Sequence, residues 1–266
     1  MKSIDYVKNF YEDRKYLIKK YPNTWGKMQI LKIKRVSILD LPSPQLLAAF
    51  SSYLKYQHQG KVYCRGERHF YESTIPSLFR DIDDNEIEIR KKAFDGLVTS
   101  LPDLFTSKRF KNEDFRPLLQ HYGIKTDWLD LVDDIFVALW FSNNGSNETF
   151  SYIKFFSDND LEIRKLRENH SSLSLRPHCQ HGLSATKNAQ WNRENIDFND
   201  CLIAIVRIPN VPKMHLSGYI FTDEYMFPNE ELDNTYKLFK RKIFQENLDR
   251  ITAKFGSTNN VLGKIR

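Results

Sequence analysis

Three segments of the 266-residue chain combine groups able to bind or redistribute charge. The first is Val62-Tyr63-Cys64-Arg65-Gly66-Glu67. An arginine at the end of a short apolar strand can aim its guanidinium into a cleft, and Gly66 lets a ligand approach the backbone. The planar fork matches a pyrophosphate or a carboxylate; the same fragment equally suits a buried ion pair between Arg65 and a glutamate. The second is Gln120-His121-Tyr122-Gly123-Ile124-Lys125-Thr126-Asp127-Trp128-Leu129-Asp130, a polar cluster just before the apolar Ile135–Phe141. Tyr122 or Trp128 can stack on a planar ring, and Asp130 can orient a partner or cap the following helix. The plainer alternative makes Trp128 and Trp140 core residues, with Asp127 and Asp130 in turn and cap positions. The third is Arg176-Pro177-His178-Cys179-Gln180-His181-Gly182-Leu183. A glutamine can hold both hydroxyls of a ribose without titrating; the alternative is a polar loop between strands.

Several other chemistries lack their residues. The glycines form neither G-x-G-x-x-G nor G-x-x-x-x-G-K-[ST], and H-E-x-x-H and G-x-S-x-G are also missing. Dinucleotide binding of the Rossmann kind, P-loop hydrolysis, zincin chemistry and nucleophile-elbow hydrolysis therefore have no support. His178-Cys179-Gln180-His181 has no second Cys/His pair at finger spacing, so no metal is expected. A nuclease is weakened by the same want of a carboxylate/His constellation. Three scattered cysteines suit a reduced compartment. The longest apolar run has seven residues, and Met1–Lys15 has no apolar leader core, so a soluble, cytoplasmic protein is expected.

The elements that must position these groups follow from periodicity and punctuation. Ser3 to Lys20 reads as an amphipathic helix, broken by Pro22, Asn23 and Gly26. Gln29–Leu39 alternates apolar and basic residues and reads as one strand. Ser43 and Pro44 open a helix over Gln45–Tyr56, and Val62–Arg65 is a short strand. Residues 86–105, Arg116–Tyr122 and Ile135–Phe141 read as helices, and Trp128–Leu131 as a strand. Further strands are expected at Phe150–Phe156, Leu202–Ile208 and Tyr219–Phe221, before a closing basic helix from Asn234 to Phe255. Helices in the first half and strands in the second argue α+β.

Charge is uneven. Residues 1–70 hold 14 Lys+Arg against 5 Asp+Glu, a net +9 in a chain of net +6. Solvated helix faces account for this, as does an electrostatic footprint for nucleic acid or an acidic partner.

Taken in order, the three segments resemble the FRG domain family, named for its Phe/Tyr-Arg-Gly motif. Here that motif is Tyr63-Cys64-Arg65-Gly66, with an extra cysteine. The family's Q-H-x-G-x-x-T-R-L-L-D-W-T and A-L-x-F-A resemble Gln120–Asp130 and Ala138–Ser142, and its R-x-x-x-Q-x-G resembles Arg176, Gln180 and Gly182. Ile208-Pro209 and Phe227-Pro228 resemble its closing pattern, so the likeness runs from about residue 45 to 240. Asp127 stands where the family has Arg, and Leu131-Val132 replace Trp-Thr. The pattern is in turn similar to that of ADP-ribosyltransferases.

The resemblance implies an ADP-ribosyltransferase-like core with a central mixed sheet, a helical N-terminal half and a C-terminal helix. Residues 1–42 would be a basic extension and 43–266 the FRG-type domain. NAD would be the substrate, with Arg65 and Gly66 at the pyrophosphate and Thr126 at the nicotinamide ribose. Tyr122 or Trp128 would stack on nicotinamide, and His121 and Asp130 would complete the cofactor site. Gln180 would take the place of the catalytic glutamate, so that Gln180→Glu retains or raises activity; Glu224, with Asp223 beside it, is the alternative acid. The setting implied is a toxin or antiphage effector modifying nucleic acid, RNA above all, and held in check by an acidic antitoxin. A non-catalytic FRG module binding a nucleotide or an acidic protein is the competing expectation.

Overall fold

The computed structural model describes residues 5–33, 36–104, 112–166, 174–187, 195–210, 222–254 and 262–265. Tyr6–Asp13 (α1) and Lys15–Lys20 (α2) replace the single helix expected at the start. Arg14 leaves helical geometry at φ −112°, ψ 4°, and its guanidinium folds over the Phe10 ring at 3.7 Å. Residues 3 and 4 lie outside the described residues. Pro22–Trp25 (α3) is a helical turn where a break was expected, because proline suits a first helical position that needs no N–H. The single strand expected over Gln29–Leu39 is two, Gln29–Ile33 (β1) and Val36–Asp40 (β2), paired antiparallel from Gln29↔Asp40 to Ile33↔Val36. A period-two pattern runs through such a reversal without a visible break.

Pro44–Gln57 (α4) forms as expected, with Ser43 Oγ accepting from the Leu46 N–H at 3.4 Å. Val62–Glu67 (β3), Asp84–Leu104 (α5) and Asn112–Gln120 (α6) follow, then Leu129–Val132 (β4), Ile135–Asn143 (α7) and Phe150–Ser157 (β5). Asp134, not Asp130, caps α7, its Oδ1 accepting from Phe136 N at 2.7 Å. The third motif is no loop. It runs through helix Leu175–Cys179 (α8) into strand Gly182–Thr186 (β7), which pairs with Glu162–Arg164 (β6). After Leu202–Pro209 (β8) come Asp223–Met226 (α9), Asn234–Phe239 (α10) and Lys242–Lys254 (α11), so the closing helix is interrupted at residues 240–241. The strand expected at Tyr219–Phe221 and the helix end at Phe255 lie outside the described residues. The α+β class holds, and β1, β2 and β3 lie before residue 68, in the stretches expected to be strands.

The chain divides into two compact units, each assembled from three stretches. One comprises Met1–Glu72, Val132–Asp160 and Asn199–Phe221; the other Ser73–Leu131, Leu161–Phe198 and Thr222–Arg266. In the first, strands lie in the order β1-β2-β8-β5-β3, antiparallel except for the parallel pair β2–β8. Within residues 1–42, β2 is a sheet strand beside β8. Helices α1 and α4 cover this sheet through Phe10, Phe50 and Phe155, whose rings meet edge to face at 4.9 and 5.6 Å. In the second unit, Leu78, Phe94, Leu97, Phe115, Leu118 and Tyr122 form one apolar core with Phe239, Phe244 and Leu248. Among the described residues no helix is long and apolar enough to cross a membrane.

Gly66 shows how tightly the first unit is built. A Cβ there would stand 1.9 Å from the Ala138 carbonyl oxygen and 2.8 Å from Ser142 N, so α7 lies directly on β3. The backbone approach that Gly66 allows is made by a helix. Gly66→Ala should therefore lower the unfolding free energy by at least about 2 kcal/mol in urea denaturation, because backbone atoms cannot swing aside.

Candidate active site around His121

In the second unit the third motif converges on one residue of the second motif. Gln180 Nε2 donates to the Met226 carbonyl at 2.7 Å, which turns its Oε1 toward His121 Nδ1, also at 2.7 Å. An amide oxygen only accepts, so Nδ1 carries the proton and Nε2 holds a lone pair. Arg176 Nη1 donates to the His121 carbonyl at 3.3 Å. Gly182 gives the ring its room: a Cβ there would lie 2.4 Å from His121 Cε1. Arg176, Gln180 and Gly182 thus clamp His121 by backbone, ring nitrogen and ring face. His121 Nε2 is buried and has no hydrogen-bond partner among the described residues.

The neighbouring side chains are bound into the protein. Tyr122 is fully buried and donates to Asp233 Oδ2 at 2.8 Å. Its ring lies 6.2 Å from Tyr236, stacked, and 5.0 Å from Phe239, edge-on, so in this conformation neither face is offered to a nicotinamide. Burial, then the Asp233 carboxylate, pushes its phenol pKa up. Arg176 lies 3.9 Å over the Tyr236 ring. Asp233 also accepts from the backbone of Arg176 and Tyr236, at 3.0 Å each. Thr126 is buried, donating to Gln120 Oε1 at 2.8 Å and accepting from Trp128 N at 3.2 Å. Trp128 is buried, and Asp130 is half-buried on β4. Asp127, where the family pattern has arginine, accepts from Arg116 Nη1 at 2.9 Å, and Arg116 also pairs with Asp95.

Glu224 is exposed on α9, two residues before the carbonyl that Gln180 holds. The two candidate catalytic groups are therefore coupled: Gln180 is committed at both ends and fixes the segment bearing Glu224. Sequence reasoning missed Asp233. Its signal was an acid followed by Asn-Thr before an apolar pair, the pattern of the helix N-cap it forms on α10.

In the first unit, Arg65 Nε donates to Glu67 Oε1 at 3.3 Å, the ion pair that was the competing reading of this motif. Glu67 Oε2 stands 3.1 Å from Nζ of the fully buried Lys154, which also donates to the Tyr71 carbonyl at 2.8 Å. Arg65 and Lys154 are register partners on β3 and β5. Anchoring through Nε sets the plane of the guanidinium. Cys64 is inert as a nucleophile: burial pushes its thiol pKa up, and Sγ donates to the Val132 carbonyl at 3.3 Å. Among the described residues no three His, Cys, Asp or Glu side chains group as metal ligands.

Residues 60–150 match the family model of the FRG domain. The match contains the first two motifs, Arg65-Gly66 and Gln120–Asp130. The third, which clamps His121, lies beyond it. No curated protein and no solved structure matches the chain.

Asp127 carries a pH dependence. Burial raises its pKa from 3.8 to about 6, and Arg116 only partly offsets this. A raised folded-state pKa means the native protein holds a proton that the unfolded chain has released, so this group's contribution to stability declines as pH rises from about 4 to 6. Urea denaturation across that range should show a decline in the wild type that is missing in Asp127→Asn.

Proposed function

We propose that the chain is an NAD-dependent ADP-ribosyltransferase of the toxin or antiphage type, with nucleic acid, RNA above all, as acceptor. The observation that carries this reading is the Gln180 clamp: its amide grips the buried His121 on one side and, on the other, the carbonyl two residues after the exposed Glu224. A passive binding surface has no use for that arrangement. In the proposed reaction the bond between nicotinamide and the ribose breaks, and positive charge builds on the sugar. An acceptor oxygen or nitrogen bonds to the ribose carbon while nicotinamide leaves neutral and the acceptor's proton passes to solvent. Its motif assigns Arg65, whose plane Glu67 sets, to phosphate binding. Glu224 supplies the carboxylate that stabilises the charged sugar through its hydroxyls. Gln180, held by the buried His121, keeps the Glu224 segment in place.

A second reading, the non-catalytic FRG module, draws on the burial of Thr126, Tyr122 and Trp128, which closes the ring-stacking site expected there. Incubation with NAD labelled in its ADP-ribose half, in the presence of RNA, DNA or protein fractions, separates the two. The transferase releases nicotinamide and labels a macromolecule; the module binds without release.

Variants distinguish the roles. Glu224→Gln should lower turnover by about 100-fold or more, the scale for losing one preorganised electrostatic group. Arg65→Ala should abolish transfer in a folded protein, and Arg65→Lys should rescue it poorly, because an ammonium lacks the fork. Gln180→Glu should lower activity, the reverse of what the motif alone suggested, since it places a carboxylate oxygen against the Met226 carbonyl. Full activity of Gln180→Glu, or of Glu224→Gln, would reject these assignments.

A further inference from the structure

The first unit contains a cleft of about 490 Å³ that none of the three motifs enters, lined by Gly26–Gln29, Asp40–Pro42, Phe150, Arg207 and Pro209. Its floor is a flat, fixed plate. Arg207 donates through Nε and Nη2 to the two Asp40 oxygens, both at 2.8 Å, and Gln29 Nε2 donates to Asp40 Oδ2 at 2.9 Å. The guanidinium lies 4.1 Å from the centre of the Phe150 ring. Asp40 neutralises the Arg207 charge, so this group is better suited to stacking than to holding an anion.

Net positive charge comes instead from the segment forming the rim. Between Asp13 and Asp40 the chain has eight Lys or Arg and no acid. Lys27 is exposed at the cleft edge. Just before it, Lys19 and Lys20 are exposed at the end of α2, with Tyr16 and Tyr21 at 64% and 48% exposure and Lys20 Nζ 5.4 Å from each ring. An acidic protein surface would need only the cations. Exposed tyrosines, a stacked guanidinium and lysines along one stretch are what a single-stranded nucleic acid needs, because its unpaired bases stack on rings and guanidinium planes while its phosphates meet lysines. A duplex hides its bases and has no use for the plate.

We propose that this cleft receives an unpaired base of a single-stranded nucleic acid on the Arg207–Phe150 plate, with the flanking strand running along Lys27, Lys20 and Lys19. The proposal rests on the transferase reading only for the purpose of the bound strand, and binding is measured without NAD. A strand that binds while NAD stays intact would overturn the transferase and keep the cleft.

The experiment is fluorescence anisotropy of the full chain with a labelled single-stranded RNA of about 12 nucleotides, at about 50 and 200 mM salt. Competitors are the same RNA annealed to its complement, an abasic strand of equal length and polyglutamate. The single strand should compete at least about tenfold better than each of the others, and its affinity should fall steeply with salt. Lys27→Glu, and Lys19→Glu with Lys20→Glu, should each weaken binding about tenfold and flatten the salt dependence. Tyr21→Ala should weaken it severalfold with little salt effect. These side chains are exposed, and an unchanged thermal unfolding temperature confirms folding. Arg207→Ala strips Asp40 of its partner and confounds binding with folding, so Arg207→Lys tests the plate instead, with an expected loss of severalfold. Equal competition by the abasic strand or polyglutamate, preference for the duplex, no binding, or indifference to these variants would each overturn the proposal.

Discussion

Gln180 has one end that donates and one that accepts, and the Met226 carbonyl decides which way round it sits. That single directional constraint passes on: the amide oxygen faces His121, and Nδ1 is the ring nitrogen that donates to it. A carboxylate in the same place would titrate and would draw the imidazole toward its cationic form. An amide carries no proton that titrates. The geometry is sustained from below by Gly182, which lets the ring rest on the strand, and from the side by Arg176, itself pinned through its backbone N–H to Asp233. Three residues that look like separate conveniences in the sequence thus serve one imidazole.

The first unit solves a different electrostatic problem. Lys154 is wholly buried, and burying an ammonium is costly unless it is paired and hydrogen-bonded. Glu67 and the Tyr71 carbonyl do this, and the same glutamate reaches Arg65. Side chains of alternate β3 residues share a face, so Glu67 is well placed to bridge Arg65 and Lys154. The orientation of Arg65 therefore depends on a lysine far away in sequence.

Much of the fold was legible because its signals are local. Ser43-Pro44 before an apolar run marks the start of α4, and the Ile135–Phe141 run marks α7. The failures have different causes. The β1–β2 reversal is a local pairing that unbroken alternation does not mark, and the strand at Gly182 is fixed by its partner β6, which no periodicity records. The site shows the same division. Its residue types were visible, but their use was not: Gly66 makes room for Ala138 O rather than a ligand, and Tyr122 turns its hydroxyl to Asp233, over a hundred residues later. Motif spacing marks which residues matter and is silent on which atoms they spend on each other.

The pairing of β2 with β8 sets an order of events in synthesis. Leu39 lies beside Val206 and Asp40 beside Arg207, and the ion pair that closes this edge joins residues 167 apart. Contacts of that range form late, because a long loop must close before any is made. On the ribosome the basic hairpin emerges early and waits, one edge unpaired, until most of the chain has followed it. The edge left open is β2, an apolar strand ending in Asp40, and it acquires its mature surroundings only when β8 arrives. Translational pausing before residue 202 would prolong that interval and leave the edge open to misassembly.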